Sequence, residues 1–289
     1  MTRIYCIGEL LVDNIGDDRK SLKENNSFSK RAGGAPANVA VAASRLGADV
    51  SKVATVGNDE FGDFLIERLE KEDVETKNIR REGKTTLAFV ALDKQAKPHF
   101  SFYRDADKNI KKSQLDLNAT DQDIVHLGSL PWTDKSSAKN IIEFVENTSA
   151  MISFDPNIRK ELLTEQYKQT LREIVAHTDI LVAAEDELDL FGGLESLKER
   201  VNEIIVTKGE KGAELHKEGK SFSVEAYETE VVDTTGAGDC LTGSYLAFRS
   251  RGSEEALSRA VRSAELSTTS KGAMEALPYK KDLNKRLSK

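Results

Sequence analysis

Cysteine, proline and long apolar runs are all scarce in this 289-residue chain. The two cysteines, Cys6 and Cys240, form no C-x-x-C pair and cannot build a disulfide framework. No apolar stretch approaches the ~20 residues that a membrane-crossing helix needs. The first residues, Met1 to Cys6, read as the start of a strand and not as a secretory leader. An excess of positive charge is also missing. Lys and Arg number 42 against 49 Asp and Glu, a net charge of −7, which leaves no electrostatic footprint for nucleic acid. There is no G-x-x-x-x-G-K-[ST] phosphate loop, no G-x-G-x-x-G dinucleotide turn and no G-x-S-x-G nucleophile elbow. The histidines His99, His126, His177 and His216 have no metal-ligand spacing. What remains is an acidic chain with enough apolar residues for a core, expected to be globular and cytoplasmic, with no nucleic-acid or membrane partner.

Short apolar runs alternate with amphipathic stretches. Ile4–Ile7, Val50–Val56, Ile124–Leu127, Met151–Phe154, Ile180–Ala183 and Ile204–Val206 read as buried strands. Asn38–Leu46, Glu60–Lys71 and Cys240–Phe248 read as helices, and a charged, helix-like segment is expected after each later strand. Strands alternating with helices imply an α/β fold with a doubly wound, mostly parallel sheet, helices on both faces, and a site at the strands' carboxyl ends. Thr85–Leu92 and His99–Tyr103 break the rhythm. Both are β-rich with a polar link between them, which predicts an antiparallel flap. Residues 13–32 and 85–104 together are expected to form this small lid on a single domain spanning 1–289. The basic tail Lys280–Lys289 reads as a solvated chain end.

Two glycine-rich segments carry the chemistry. Ala32-Gly33-Gly34-Ala35-Pro36-Ala37-Asn38 leads into an Ala-rich helix. It reads equally as a tight turn with Pro36 in the first helical turn, or as a backbone that lies close against a polar ligand faced by Asn38. Val232-Asp233-Thr234-Thr235-Gly236-Ala237-Gly238-Asp239 opens another helix. A G-A-G turn at a helix start aims backbone N–H groups at one point and makes an anion site. Asp239 beside such a site either caps the helix or takes a proton.

Together the two segments resemble the ribokinase-like (PfkB) carbohydrate kinases, and most of all the fructokinases. Matching stretches cover nearly the whole chain: Gly8–Asp13, Gly57–Gly62, Phe102–Arg104, Gly128–Leu130, Ser153–Arg159 and Thr207–Gly212. The resemblance implies a sugar kinase that uses ATP and Mg²⁺, with D-fructose as acceptor. It implies Asp239 as catalytic base, with Gly236, Ala237 and Gly238 as the anion hole. Asp13, Gly33, Gly34, Asn38, Arg104 and Arg159 would hold the sugar and its phosphate, and Thr207, Gly209 and Gly212 the nucleotide. Glu187 would face Mg²⁺ through water, although Ala184 stands where the family often has asparagine. Asp233 and Thr235, with the Ser270–Ala273 turn, would hold K⁺, and the lid would join two copies into a homodimer. Two alternatives stay open: a 2-keto-3-deoxygluconate kinase or ribokinase of the same fold, and a kinase-like binding or regulatory protein without activity. Lys208 reads as a turn residue. Cys240 reads as a small packing residue, although a helix start can also lower a thiol's pKa.

Overall fold

The computed structural model describes residues 2–92, 98–158 and 162–288. Along the chain the elements run β1 (Arg3–Ile7), β2 (Leu11–Gly16), β3 (Phe28–Gly33), α1 (Ala35–Arg45), β4 (Asp49–Val56), α2 (Glu60–Glu70), β5 (Glu75–Arg81), β6 (Leu87–Leu92) and β7 (Pro98–Tyr103). They continue as β8 (Ile124–Leu127), α3 (Lys135–Asn147), β9 (Met151–Phe154), α4 (Glu165–Val175), β10 (Ile180–Ala184) and α5 (Gly193–Lys198). The last elements are β11 (Glu203–Thr207), β12 (Ala213–Lys217), β13 (Lys220–Val224), α6 (Ala237–Phe248), α7 (Ser253–Ser267) and α8 (Lys280–Leu287).

The large sheet has the order β13-β12-β11-β10-β9-β8-β1-β4-β5. It is parallel from β5 to β11. The chain moves outward from β1 through β4 to β5, then returns to β8 on the other side of β1. A switch point therefore lies between β1 and β8, and the crevice beyond their carboxyl ends is where open α/β sheets bind ligands. Alternate residues of β1 enter different cores, as the two-residue period of a strand requires. Ile4 and Cys6 pack with α1, α6 and α7, while Tyr5 and Ile7 pack with α3, α4 and Trp132. Both faces are covered, so the strands read as short continuous apolar runs.

The second sheet has the order β3-β2-β6-β7, with β6 parallel to β2 and antiparallel to β7. The link between β6 and β7 lies outside the described residues. Asp59 joins this sheet to the large one. Its Oδ1 accepts from the Gly62 N–H at the start of α2 (2.9 Å) and from the Thr85 hydroxyl (2.6 Å), and its Oδ2 accepts from the Thr85 N–H (2.8 Å). Gly57 makes room for this contact, since a Cβ there would lie 2.1 Å from the Thr85 nitrogen. Tyr103 of this sheet is 65% exposed.

Three expectations need correction. The chain after β11 makes the antiparallel hairpin β12–β13 instead of a helix. The helices start early: α1 begins at Ala35 and not Asn38, because Pro36 suits a first turn where no N–H is required, and α6 begins at Ala237 and not Cys240. The basic tail is no solvated end. It folds as α8, whose Leu283 is fully buried in the α1–α6–α7 core and whose Arg286 pairs with Glu265 at 2.8 Å. Leu283→Ala is expected to cost about 2–5 kcal/mol in urea unfolding. A tail that was merely solvated would lose almost nothing.

Candidate active site

The crevice beyond β1 is built on glycine. A Cβ on Gly33 would lie 1.9 Å from Asp13 Oδ2, so the Asp13 carboxylate rests directly on the Gly33 backbone. Gly34 has φ 106°, a left-handed conformation that favours glycine, and a Cβ there would lie 2.7 Å from the Glu9 carbonyl. Glu9, buried just past β1, accepts the Ala35 N–H on its Oε1 at 3.1 Å. The turn is thus held to β1 and delivers Asn38 in the first turns of α1. Asn38 Nδ2 donates to Asp239 Oδ2 at 2.8 Å across 201 residues of sequence. Its buried Oδ1 has no hydrogen-bond partner among the described residues.

Asp239 is 7% exposed and occupies the third position of α6. The N-cap is Gly236, at φ 78°, so Asp239 is not the cap. Among the described residues, the N–H groups of Gly236 and Gly238 have no acceptor, while that of Ala237 turns back to the Thr234 carbonyl at 3.2 Å. A Cβ on Gly236 would meet Ala273 at 3.0 Å, whereas a Cβ on Gly238 would meet nothing within 4 Å. The preceding loop is clamped to the end of α7, where the Thr268 carbonyl accepts from Val232 (2.8 Å) and Asp233 (3.1 Å). Asp233 accepts from the Thr235 N–H and hydroxyl and from the Gly272 N–H at 2.7–3.0 Å. Burial works against its charge, but these donors hold its carboxyl below the ordinary range.

Two further carboxylates approach from neighbouring strand ends. Asp155 follows β9 and accepts from the Asn157 N–H (3.0 Å) and the Thr242 hydroxyl of α6 (3.2 Å). Glu187 accepts from the N–H groups of Ile158 (2.6 Å) and Ala184 (2.9 Å), tying the exits of β9 and β10 together. Burial, and then the charges of Glu187 and Asp239, push the Asp155 carboxyl well above the ordinary carboxylate range. The Ser153–Arg159 stretch drew notice in the sequence for Arg159, and Asp155 was missed. Its place at the carboxyl end of a buried strand run was the available signal.

The remaining candidates are more scattered. Thr207 ends β11, next to the end of β10, and its hydroxyl lies 3.4 Å from the Ala183 carbonyl. Gly212 is required by packing, because a Cβ would lie 2.0 Å from the Val224 carbonyl, while around Gly209 there is open space. Lys208 pairs with Glu214. The Arg104 guanidinium is buried in an ion pair with Asp107 and also donates to Thr133 (2.8 Å) and to the Leu130 carbonyl (3.1 Å). Arg159 lies outside the described residues. Cys240 is fully buried, and burial pushes its thiol up to about 12, so the helix start does not activate it. Depressions of about 480 and 690 Å³ lie elsewhere, around Arg3 and Asp123 and between Lys112 and Phe144.

The two turn glycines separate shape from function. Gly236→Ala is expected to destabilise the fold, through the strain of a positive φ and the Ala273 contact. Gly238→Ala should keep its melting temperature, yet lose about 10²-fold in turnover if an anion must approach that backbone. Thermal denaturation beside steady-state rates checks both.

Known proteins share this fold. A model of the pfkB family carbohydrate kinases matches residues 1–280. The Arabidopsis thaliana protein named Probable fructokinase-2 is 32% identical over 95% of this chain and 92% of its own length. A sugar kinase of Pyrococcus horikoshii solved with ATP superposes with a TM-score of 0.87 at 34% identity, over 98% of this chain and 97% of that one. The fructokinase of Vibrio cholerae O395, solved with fructose, ADP and calcium, gives a TM-score of 0.87 at 28% identity, over 99% and 98%. An E. coli protein given the name Ribokinase II, solved with ATP and Mg²⁺, gives 0.91 at 28% identity, over 100% and 99%. The chain belongs to the pfkB family of carbohydrate kinases and is an ATP-dependent sugar kinase.

Proposed function

We propose that the chain transfers the γ-phosphoryl group of ATP to the primary hydroxyl of D-fructose, giving fructose 6-phosphate and ADP. The observation that carries this reading is the contact of Asn38 with Asp239, which sets the glycine cradle of α1 against the anion-binding start of α6. Fructose is favoured over other sugars by the relatives named fructokinases and by the fructose held in the Vibrio cholerae structure.

In this reading Asp13 and Asn38 hydrogen-bond sugar hydroxyls, and Gly33 and Gly34 let the sugar lie against the backbone. Asp239 accepts the proton of the attacking hydroxyl, a role worth roughly 10²–10⁴ in rate. The Asn38 amide orients the Asp239 carboxylate for that task. The N–H groups of the Gly236–Gly238 turn and the positive end of α6 stabilise the charge on the moving phosphoryl oxygens. Phosphoryl transfer asks mainly for such positioning and charge stabilisation. Arg104 and Arg159 hold polar or anionic groups at the sugar end, Arg104 by way of its place beside Asp107. Thr207, Gly209 and Gly212 shape the nucleotide turn, and the second sheet closes over the sugar and excludes water.

The carboxylates suit a hydrated divalent cation. The charges of Glu187 and Asp239 oppose a charged Asp155, and a cation beside them would relieve that opposition. Among the described residues no three ligating side chains converge into a direct chelate. Mg²⁺ usually keeps several of its waters, and Glu187 would hold it through one of them. When bound, Mg²⁺ neutralises phosphate charge. Asp233 and Thr235, already fixed against Gly272, frame a K⁺ position whose further donors are backbone carbonyls. The apolar face of the second sheet meets a second copy of the chain, an arrangement that light scattering decides.

Two experiments test the reading. A panel of sugars at fixed ATP and Mg²⁺, with and without K⁺, should place fructose first and show faster turnover with K⁺. A tenfold higher kcat/KM for ribose or 2-keto-3-deoxygluconate overturns the choice of sugar, and no ADP release with any sugar overturns the activity. Asp239→Asn keeps the shape and the Asn38 neighbour. It should lower kcat by roughly 10²–10⁴ while calorimetric Kd values for ATP and fructose stay near wild type. A kcat within about threefold of wild type removes Asp239 as the base.

A further inference from the structure

One buried charge takes no part in the proposed transfer. Lys52, on β4, has no exposed surface. Its Nζ donates to the carbonyls of Gly8 (3.0 Å) and Cys6 (3.3 Å), and the Glu9 carboxylate attracts it. The sheet register places Lys52 beside Cys6 of β1, Cys6 beside His126 of β8, and His126 beside Ser153 of β9. These four form a polar row across the middle of an apolar sheet, and His126 Nδ1 lies 3.1 Å from Ser153 Oγ.

An ammonium in such surroundings is expensive, and an apolar side chain of the same length would fill the space without that cost. The groups that Lys52 binds suggest a use. Both carbonyls belong to the end of β1, where the chain leaves for the crevice. Gly8 packs against Pro36, so closely that a Cβ on it would lie 2.6 Å from that ring. Glu9 holds the Ala35 N–H, and its carbonyl lies under Gly34.

We propose that Lys52 is a positioning residue for the sugar: its ammonium fixes the Gly8–Glu9 segment and, through Glu9, the loop that carries Gly33, Gly34 and Asn38. This rests on reading that loop as the sugar cradle. Because the ammonium carries the effect, sugar binding becomes sensitive to pH. The groups that face it are Cys6 and Glu9 of the β1 strand and its exit, and His126 of β8. Burial pushes the Cys6 thiol up to about 12 and the His126 imidazole down to about 3, so neither changes charge near neutrality. The sole charged residue of α1, Arg45, pairs with Glu72. On β5, Glu75 pairs with Arg3 and Lys77, Arg80 with Glu82, and Arg81 with Asp63. In the short turn at Ala106–Lys108, Asp107 pairs with Arg104, and Lys108 is half-buried. Burial lowers Lys52 itself from 10.5 to about 8.

The sign of the two consequences differs. Sugar affinity should fall as pH rises through about 8 and the ammonium is lost. Stability should move the other way. Between about 8 and 10.5 the unfolded chain holds a proton at Lys52 that the folded chain has released, so this residue's burial cost fades as pH rises. A purely structural lysine would therefore not weaken sugar binding in that window.

The experiment measures KM for the phosphorylated sugar, KM for ATP, kcat and melting temperature from pH 7 to 9, for wild type and Lys52→Met. In wild type, the sugar KM should rise about fivefold, the scale of a modest misplacement, with ATP KM and kcat steady. Lys52→Met should fold, show the high sugar KM at every pH, and show a stability difference from wild type that narrows as pH rises toward 9. A flat sugar KM in wild type, a wild-type KM profile in Lys52→Met, or equal loss in ATP KM overturns the proposal. If the methionine variant does not fold, the wild-type profile alone decides. Asp13→Ala separates the layers. If it raises sugar KM while Lys52→Met does not, the role of Lys52 alone fails. If neither does, the sugar cradle fails and the inference with it.

Discussion

The close approach of α6 to α1 is the constraint on which the site depends. Gly243 allows it: a Cβ there would lie 2.6 Å from the Val39 carbonyl and 2.7 Å from the Ala42 side chain. With small residues on both sides, the two helices pack backbone to backbone, and their amino ends arrive together. One end carries Asn38 and the other Asp239, so a packing decision one turn deeper becomes a 2.8 Å hydrogen bond at the surface of the crevice. A bulkier residue at position 243 would move α6 as a body and separate the two ends, because close-packed interiors transmit displacement instead of absorbing it.

The electrostatics of the crevice follow from the same arrangement. Helix α6 points its positive end into a space where Asp155, Glu187 and Asp239 gather. A protein at rest meets this concentration of negative charge with backbone N–H groups: two on Glu187 and one on Asp155. In the proposed reading, the same crevice offers donors to a phosphoryl group at the Gly236–Gly238 turn and carboxylates to a cation. Among the described residues, the Arg104 guanidinium is paired with Asp107, and Lys52 is buried under the end of β1.

Much of this was legible in the sequence, for identifiable reasons. Parallel strands covered on both faces become short apolar runs, so the α/β architecture could be read directly. The two glycine segments stood out because turns at helix starts need glycine, and the fold brings their ends into contact. Other features left weak traces. α8 has two apolar residues, Leu283 and Leu287, among charged and polar ones, and Leu287 is exposed, so its buried face left only a short trace in the sequence. The β12–β13 hairpin carries polar residues on an edge and does not show a buried-strand run. Asp155 and Glu9 each follow a strand by one or two residues, and only the strand order shows that these exits share one crevice. Lys52 interrupts an apolar run and looks like a residue facing solvent. Its burial follows from β4 lying between β1 and β5, which no local pattern reveals.

The central claim is that the Asn38–Asp239 contact marks the place where a sugar hydroxyl meets phosphate. A crystal structure of the wild-type chain with its acceptor sugar, Mg²⁺ and a non-hydrolysable ATP analogue tests it most directly. The account predicts the reacting hydroxyl within hydrogen-bond reach of Asp239, about 2.6–3.2 Å, and the γ-phosphate at the Gly236–Gly238 turn. A sugar bound with that hydroxyl directed away from Asp239, or a γ-phosphate held elsewhere, would contradict it.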